Sequence, residues 1–242
     1  MAATRDTPIE SQHRSSLLNV VLNRTEALKR KELIHRLVYI GKLRFDQSDK
    51  REIGDYYEKF YKNHNSHAQV EPVTGLLLIY PQNFVHVIEA STGVLMETIK
   101  DLDAKQKRGS LLKEAKVLLS VGNIPVRLYS QWNYRVLNLP AIRTDETKLA
   151  ESTENLLSEA LALTLKLGYQ LSRVSKLSLK TSLDQMHDKY RDLLIPEDII
   201  EKILKSQDLC DPSQYLKKYC TPLEITLDRD LVWPAETKLF PL

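Results

Sequence analysis

The stretch that most constrains this chain is TGLLLIYPQNFVHVIEAS, Thr74 to Ser91, in which two apolar runs flank Pro81-Gln82-Asn83. Proline fixes its own φ and withholds a backbone donor, and asparagine tolerates tight turns, so the chain reverses there. The flanking runs have strand length and are rich in β-branched and aromatic residues. They predict an antiparallel hairpin pairing Thr74–Tyr80 with Phe84–Glu89. A histidine, His86, stands inside the second strand, three residues before Glu89.

The neighbouring segments set this hairpin in a larger order. Ser15 to Arg36 carries Leu17, Leu18, Val21, Leu22, Leu28, Leu33 and Ile34 at broadly helical spacing and predicts a leading helix. LVYIGKL from Leu37 predicts a strand. In KREIGDYYEKFYKNH, apolar residues recur at spacings of three and four, which predicts a helix. After the hairpin, Ser91 and Thr92 suit an N-cap for a helix with the stripe Val94, Leu95, Ile99 and Leu102. AKVLLSV, from Ala115 to Val121, reads as a strand, and a last strand is expected from Pro125 into YSQWNYRV. The order βαββαββ is that of an α+β, ferredoxin-like sandwich with helices packed on one sheet face.

Beyond Pro140 the pattern changes. Lys148 to Leu171 is leucine-rich and helical, and shorter helices are expected from Ser182 to Leu194 and from Pro196 to Lys205. The end, TPLEITLDRDLVWPAETKLFPL, reads as an extended arm with apolar anchors that include Leu231, Trp233 and Phe240. The expected organisation is a polar tail over 1–14, a leading helix over 15–36, the sandwich domain over 37–140, a helical extension over 141–208, and a C-terminal helix and arm over 209–242.

Composition narrows the function classes. The 35 basic residues are nearly balanced by 32 acidic ones, and no single basic patch stands out, which argues against a dedicated nucleic-acid binder. Two cysteines without metal-ligand spacing fit a reduced, intracellular protein. The polar start has no apolar core of a secretory signal, and no apolar run approaches the roughly 20 residues that span a bilayer, so no direct membrane insertion is expected. Phosphate-loop, nucleophile-elbow and dinucleotide motifs are missing, and no catalytic set emerges. His64 and His67 lie three apart, but nothing completes a metal site around them.

Three stretches, HRLVYIGKL, VTGLLLIYPQNFVHVIEA and NIPVRLYSQWNY, resemble the BLUF domain, the flavin-binding blue-light sensor of bacteria. That resemblance implies the ferredoxin-like order. It also implies a flavin ring between two helices, held by a strand tyrosine, a glutamine and an asparagine. Tyr39 matches the tyrosine, His86 falls on the glutamine position and Trp132 on a tryptophan. Tyr134 stands where a methionine is usual, and the asparagine position falls on Ala68. An imidazole cannot copy the two-ended hydrogen bonding of an amide, so the expectation is a degenerate pocket of Tyr39, His86, Trp132 and Tyr134 with no flavin.

Strand parity supports the same layer independently. Leu37 with Tyr39, Phe84 with His86 and Ile88, and Trp132 with Tyr134 each share a face. If the faces coincide, Tyr39 and His86 are expected to hydrogen-bond to each other or to backbone.

Over its full length the chain is similar to an animal family of BLUF-like proteins of the male germ line. What that resemblance implies is a non-enzymatic adaptor of the sperm flagellum whose partners are other proteins of an axonemal complex. The arm's own apolar and aromatic residues, Leu231, Trp233 and Phe240, are expected to make that contact. The alternative expectation is a flavin- or nucleotide-binding sensor that uses His86 in place of glutamine.

Overall fold

The computed structural model describes residues 16–28, 30, 32–44, 50–65, 71–109, 111–137 and 150–222. The polar tail, His67, Ala68 and the arm residues Leu231, Trp233 and Phe240 lie outside the described residues.

Five strands form one sheet in the order β4-β1-β3-β2-β5. The strands are β1 (His35–Leu43), β2 (Thr74–Ile79), β3 (Asn83–Ala90), β4 (Leu112–Val121) and β5 (Trp132–Val136). β2 and β3 make the expected hairpin, β1 pairs antiparallel with β3 and β4, and β5 adds in parallel to the edge of β2. With α2 (Arg51–Asn65) between β1 and β2, and α3 (Thr92–Arg108) between β3 and β4, this is the ferredoxin-like order with an added edge strand.

Both sheet faces are covered, because every residue of β2 and β3 is buried. Leu37, Leu77, Ile79, Phe84 and Ile88 face α2 and α3, while Val38, Ile40, Leu76, Leu78, Val85 and Val87 face the opposite way. The second set is covered by α4 (Thr153–Ser172), α5 (Lys176–Asp184), the single turn α6 (Met186–Lys189), a 3₁₀ turn (Arg191–Leu193) and α7 (Glu197–Leu204). The two helices of the ferredoxin-like order share one face, as expected, and the leucine-rich extension packs on the other face of its own sheet. The last described helix, α8 (Pro212–Tyr219), opens with a capping box between Asp211 and Gln214 and returns to the α3 side, where Tyr215 donates to Ser120 at 2.9 Å.

Several boundaries move for identifiable reasons. The leading helix α1 spans only Leu17–Ala27, and His35 and Arg36 already pair with Ala90 and Glu89. Arg30 is spent on the carbonyls of Ile124 and Pro125, at 2.8 and 2.9 Å. β4 begins at Leu112, opposite Leu43, rather than at Ala115. The leucine-rich helix starts where Ser152 caps the Asn155 N–H. The segment Ser182–Leu194 breaks into the end of α5, α6 and the 3₁₀ turn. The last strand begins at Trp132, not Pro125, because the Leu128 and Tyr129 N–H groups bond a side chain instead of a neighbouring strand.

Candidate functional site

The strand register sets Tyr39, His86, Leu77 and Tyr134 directly opposite one another across β1, β3, β2 and β5. Gly75 lies opposite Trp132, and at its φ of 156° a Cβ would fall 2.1 Å from the Val87 carbonyl oxygen, so this close approach of β2 to β3 requires glycine. From above, α2 lowers Tyr57 and Tyr61 onto this row; both are buried. The Tyr57 ring sits 5.2 Å from the His86 ring, edge on, and stacks on Tyr61, whose ring is 5.4 Å from Trp132.

The hydrogen bonds within this layer have a direction that chemistry fixes. Trp132 Nε1 lies 2.9 Å from His86 Nε2, and an indole can only donate, so Nε2 accepts. Burial removes water from the imidazole and pushes its pKa down to about 3, leaving the ring neutral with its one proton on Nδ1. Nδ1 lies 2.7 Å from the Tyr39 hydroxyl and donates to it. The Tyr39 proton must then point elsewhere in the layer. Among the described residues the buried Tyr57 hydroxyl has no partner in hydrogen-bonding geometry. Burial first raises all three tyrosines; Tyr57 then adds to the rise of Tyr39 and Tyr61 to that of Tyr57, so all three stay protonated.

The crevice between α2 and α3 is bridged by side chains. Tyr56 donates to Asp101 Oδ1 at 2.7 Å, and burial together with that bond raises its pKa. Lys105 lies 3.5 Å over the Tyr56 ring and 3.4 Å from Asp101. The Tyr61 hydroxyl lies 3.4 Å from Thr98, and His64 pairs with Glu97 at 3.1 Å. The flavin ring implied by the sequence resemblance would need this space and the polar edge of residue 86. Both His86 nitrogens are engaged and tyrosine rings stand over it, so the residues present do not fit that group.

Of the four sequence-predicted residues, Tyr39, His86 and Trp132 meet in one hydrogen-bond chain. Tyr134 stands at its margin, half-buried, donating to Asp55 at 2.5 Å. Its ring lies where a Cβ on Gly54 would fall, 2.4 Å away, so the glycine lets β5 approach α2. Tyr134 thus fastens β5 to α2 and makes no hydrogen bond to His86.

Glu89, which the sequence marks only as the end of a strand, holds the loop before β5. The carboxylate is fully buried and accepts from Arg36 at 2.9 and 2.6 Å, Thr74 at 3.1 Å, and the N–H groups of Leu128 and Tyr129 at 2.9 and 3.3 Å. Arg127 adds bonds to Thr74 and to the Glu89 carbonyl. This clamp holds the loop before β5 on the sheet and so sets Trp132 in place. An acidic residue closing an otherwise apolar strand was the available signal, since a buried charge requires partners. Among the described residues no group of three His, Cys, Asp or Glu side chains could hold a metal, and none of the described helices is long and apolar enough to cross a membrane.

The family model for testis-expressed protein 47 matches residues 33–221, which takes in the whole sheet and the helices on both faces. The chain belongs to the testis-expressed protein 47 family. Solved structures similar to this family member include the chain titled "BlrP1 BLUF", at 15% identity and a TM-score of 0.35, covering 64% of this chain and 86% of that one. The dark-state BLUF protein BlrB matches at 17% identity and a TM-score of 0.33, covering 64% and 95%. Klebsiella pneumoniae BlrP1 with FMN and cyclic diGMP matches at 16% identity and 0.34; there 54% of this chain spans only 35% of the longer one.

Proposed function

We propose that this member of the testis-expressed protein 47 family is a non-enzymatic adaptor of the sperm flagellum that holds other proteins of an axonemal assembly and binds no flavin. The observation that carries this reading is the filled layer: Trp132, His86 and Tyr39 bond one another in a chain while Tyr57 and Tyr61 occupy the space above them. With that layer given over to core packing, the outer surface becomes the working part of the molecule. The near balance of charge leaves protein, not nucleic acid, as the partner class. The arm residues Leu231, Trp233 and Phe240 supply aromatic and aliphatic anchors for that contact.

Two experiments test the reading. Protein expressed in a flavin-rich host and then incubated with free flavins should remain colourless; stoichiometric flavin bands travelling with the protein would restore the sensor alternative with His86 in the glutamine position. A chain cut after Asp228 should stay folded yet fail to enter its assembly in sperm. Normal incorporation of the cut chain would remove the arm from the contact.

A further inference from the structure

On the opposite side of the sheet from His86, a groove of about 560 Å³ opens between the loop Pro125–Gln131 and the junction of α4 with α5. Its volume lies within the range of about 300–1,000 Å³ common to ligand sites. One wall is apolar, built by Leu171, Val174, Leu179 and Leu183. The other wall is the loop, and three arginines pin it. Arg30 donates to the Ile124 and Pro125 carbonyls, Arg36 to the Val126 carbonyl, and Arg127 to Thr74 and the Glu89 carbonyl. A wall held this way is preformed, which lowers the ordering cost of binding.

Charge across the groove is unbalanced. Four charged side chains line it, Arg30, Glu71, Arg127 and Lys176, and three of them are basic. Arg36, just behind the wall, is matched by Glu89 at 2.6 Å. Among the described residues Arg30 is bonded only to carbonyl oxygens and Lys176 has no acidic partner, while Arg127 meets Glu71 at 3.5 Å. Around the rim, Val126 is 69% exposed and Leu177, next to Lys176, is 94% exposed. Apolar surface and uncompensated positive charge therefore lie side by side.

We propose that this groove is a docking site for a partner-protein segment in which apolar side chains adjoin carboxylates. The apolar side chains lie on the leucine wall and the carboxylates meet Lys176 and the Arg30–Arg127 side. A basic segment is repelled, and a purely apolar one leaves the cations without counter-charge. The site rests on the adaptor reading for the nature of its occupant, and it names the chemistry of one partner.

The test uses the full chain and fluorescence anisotropy with three labelled peptides: one alternating leucine and glutamate, one alternating leucine and lysine, and the chain's own segment 223–236. Lys176→Glu and Val126→Asp change two exposed rim residues and leave the core untouched. The leucine–glutamate peptide should bind saturably, weaken as salt rises, and lose about tenfold in affinity in each variant, while the leucine–lysine peptide does not bind. Equal binding of the two synthetic peptides, binding unmoved by both variants, or no saturable binding overturns the proposal. Preferred, variant-sensitive binding of segment 223–236 also overturns it, assigning the groove to the chain itself. Bound flavin would sink the adaptor reading in a separate measurement, so the two failures are distinguishable.

Discussion

The two faces of the sheet are made by alternate residues of the same strands, yet they are different materials. Toward α4–α7 the strands present Val38, Ile40, Leu76, Leu78, Val85 and Val87, which meet Leu156, Leu167, Ile199, Ile200 and Ile203. Toward α2 and α3 they present Tyr39 and His86 set among Leu37, Leu77, Ile79, Phe84 and Ile88, and Tyr57, Tyr61 and Trp132 join the polar pair. Burial of the first kind is non-directional and scales with area. In the second kind each polar atom must also find a partner in one orientation. The α4–α7 face therefore stabilises by area, and the α2–α3 face adds to its own aliphatic packing one arrangement of protons and rings.

The largest effect is expected on the aliphatic side. Ile200→Ala, at a fully buried position, should cost about 2–5 kcal/mol in urea denaturation. A cost below about 1 kcal/mol would mean that α7 is not part of the sheet's own core.

On the aromatic side the cost should follow hydrogen bonding more than volume. His86→Leu strands the partly buried Trp132 N–H at about 1–3 kcal/mol, while the Tyr39 hydroxyl can turn toward Tyr57. His86→Gln supplies an acceptor for Trp132 and a donor for Tyr39, and should retain most of the stability. Equal denaturation midpoints for the two variants would show that packing alone holds this layer.

The same residue makes the aromatic face sensitive to acid. The folded imidazole is held down to about 3 while the unfolded one titrates near 6.5, so between those values the unfolded chain binds one more proton. Stability is complete above about pH 6.5 and falls as the pH drops, by up to about 1.4 kcal/mol per unit. His35, also lowered by burial, adds a slope of the same sign. Denaturation midpoints of the wild type and His86→Gln at about pH 7 and about pH 5 isolate the His86 share, and parallel slopes would deny it. The smallest effect belongs to the crevice rim: Tyr56→Phe removes the bond to Asp101 and should cost about 0.5–1.5 kcal/mol, read from the same denaturation curves.

Much of the aromatic face was legible because strand parity is a local property. The alternation of Leu37 with Tyr39, and of Phe84 with His86 and Ile88, placed these residues on one layer, and the Tyr39–His86 bond followed from the need to pair buried polar groups. The loop before β5 was not legible. Pro125 to Gln131 has strand-like composition, but two of its N–H groups go to Glu89, some forty residues away, and such a partner leaves no local trace. The filling of the crevice was half visible: the tyrosines of α2 were read as a helix stripe, but their stacking over His86 depends on how α2 sits on the sheet. α1 shows what spacing alone leaves open: the helix forms over Leu17–Ala27, yet none of its residues is buried.

Heteronuclear NMR of the His86 imidazole nitrogens tests the closed layer most directly. A neutral ring protonated on Nδ1, with Nε2 accepting from Trp132 and no titration from about pH 8 down to about pH 5, is the result required by the hydrogen-bond chain. A ring that titrates near the ordinary histidine value, or that carries its proton on Nε2, would mean that the layer is open and that its polar edge is free to meet a ligand.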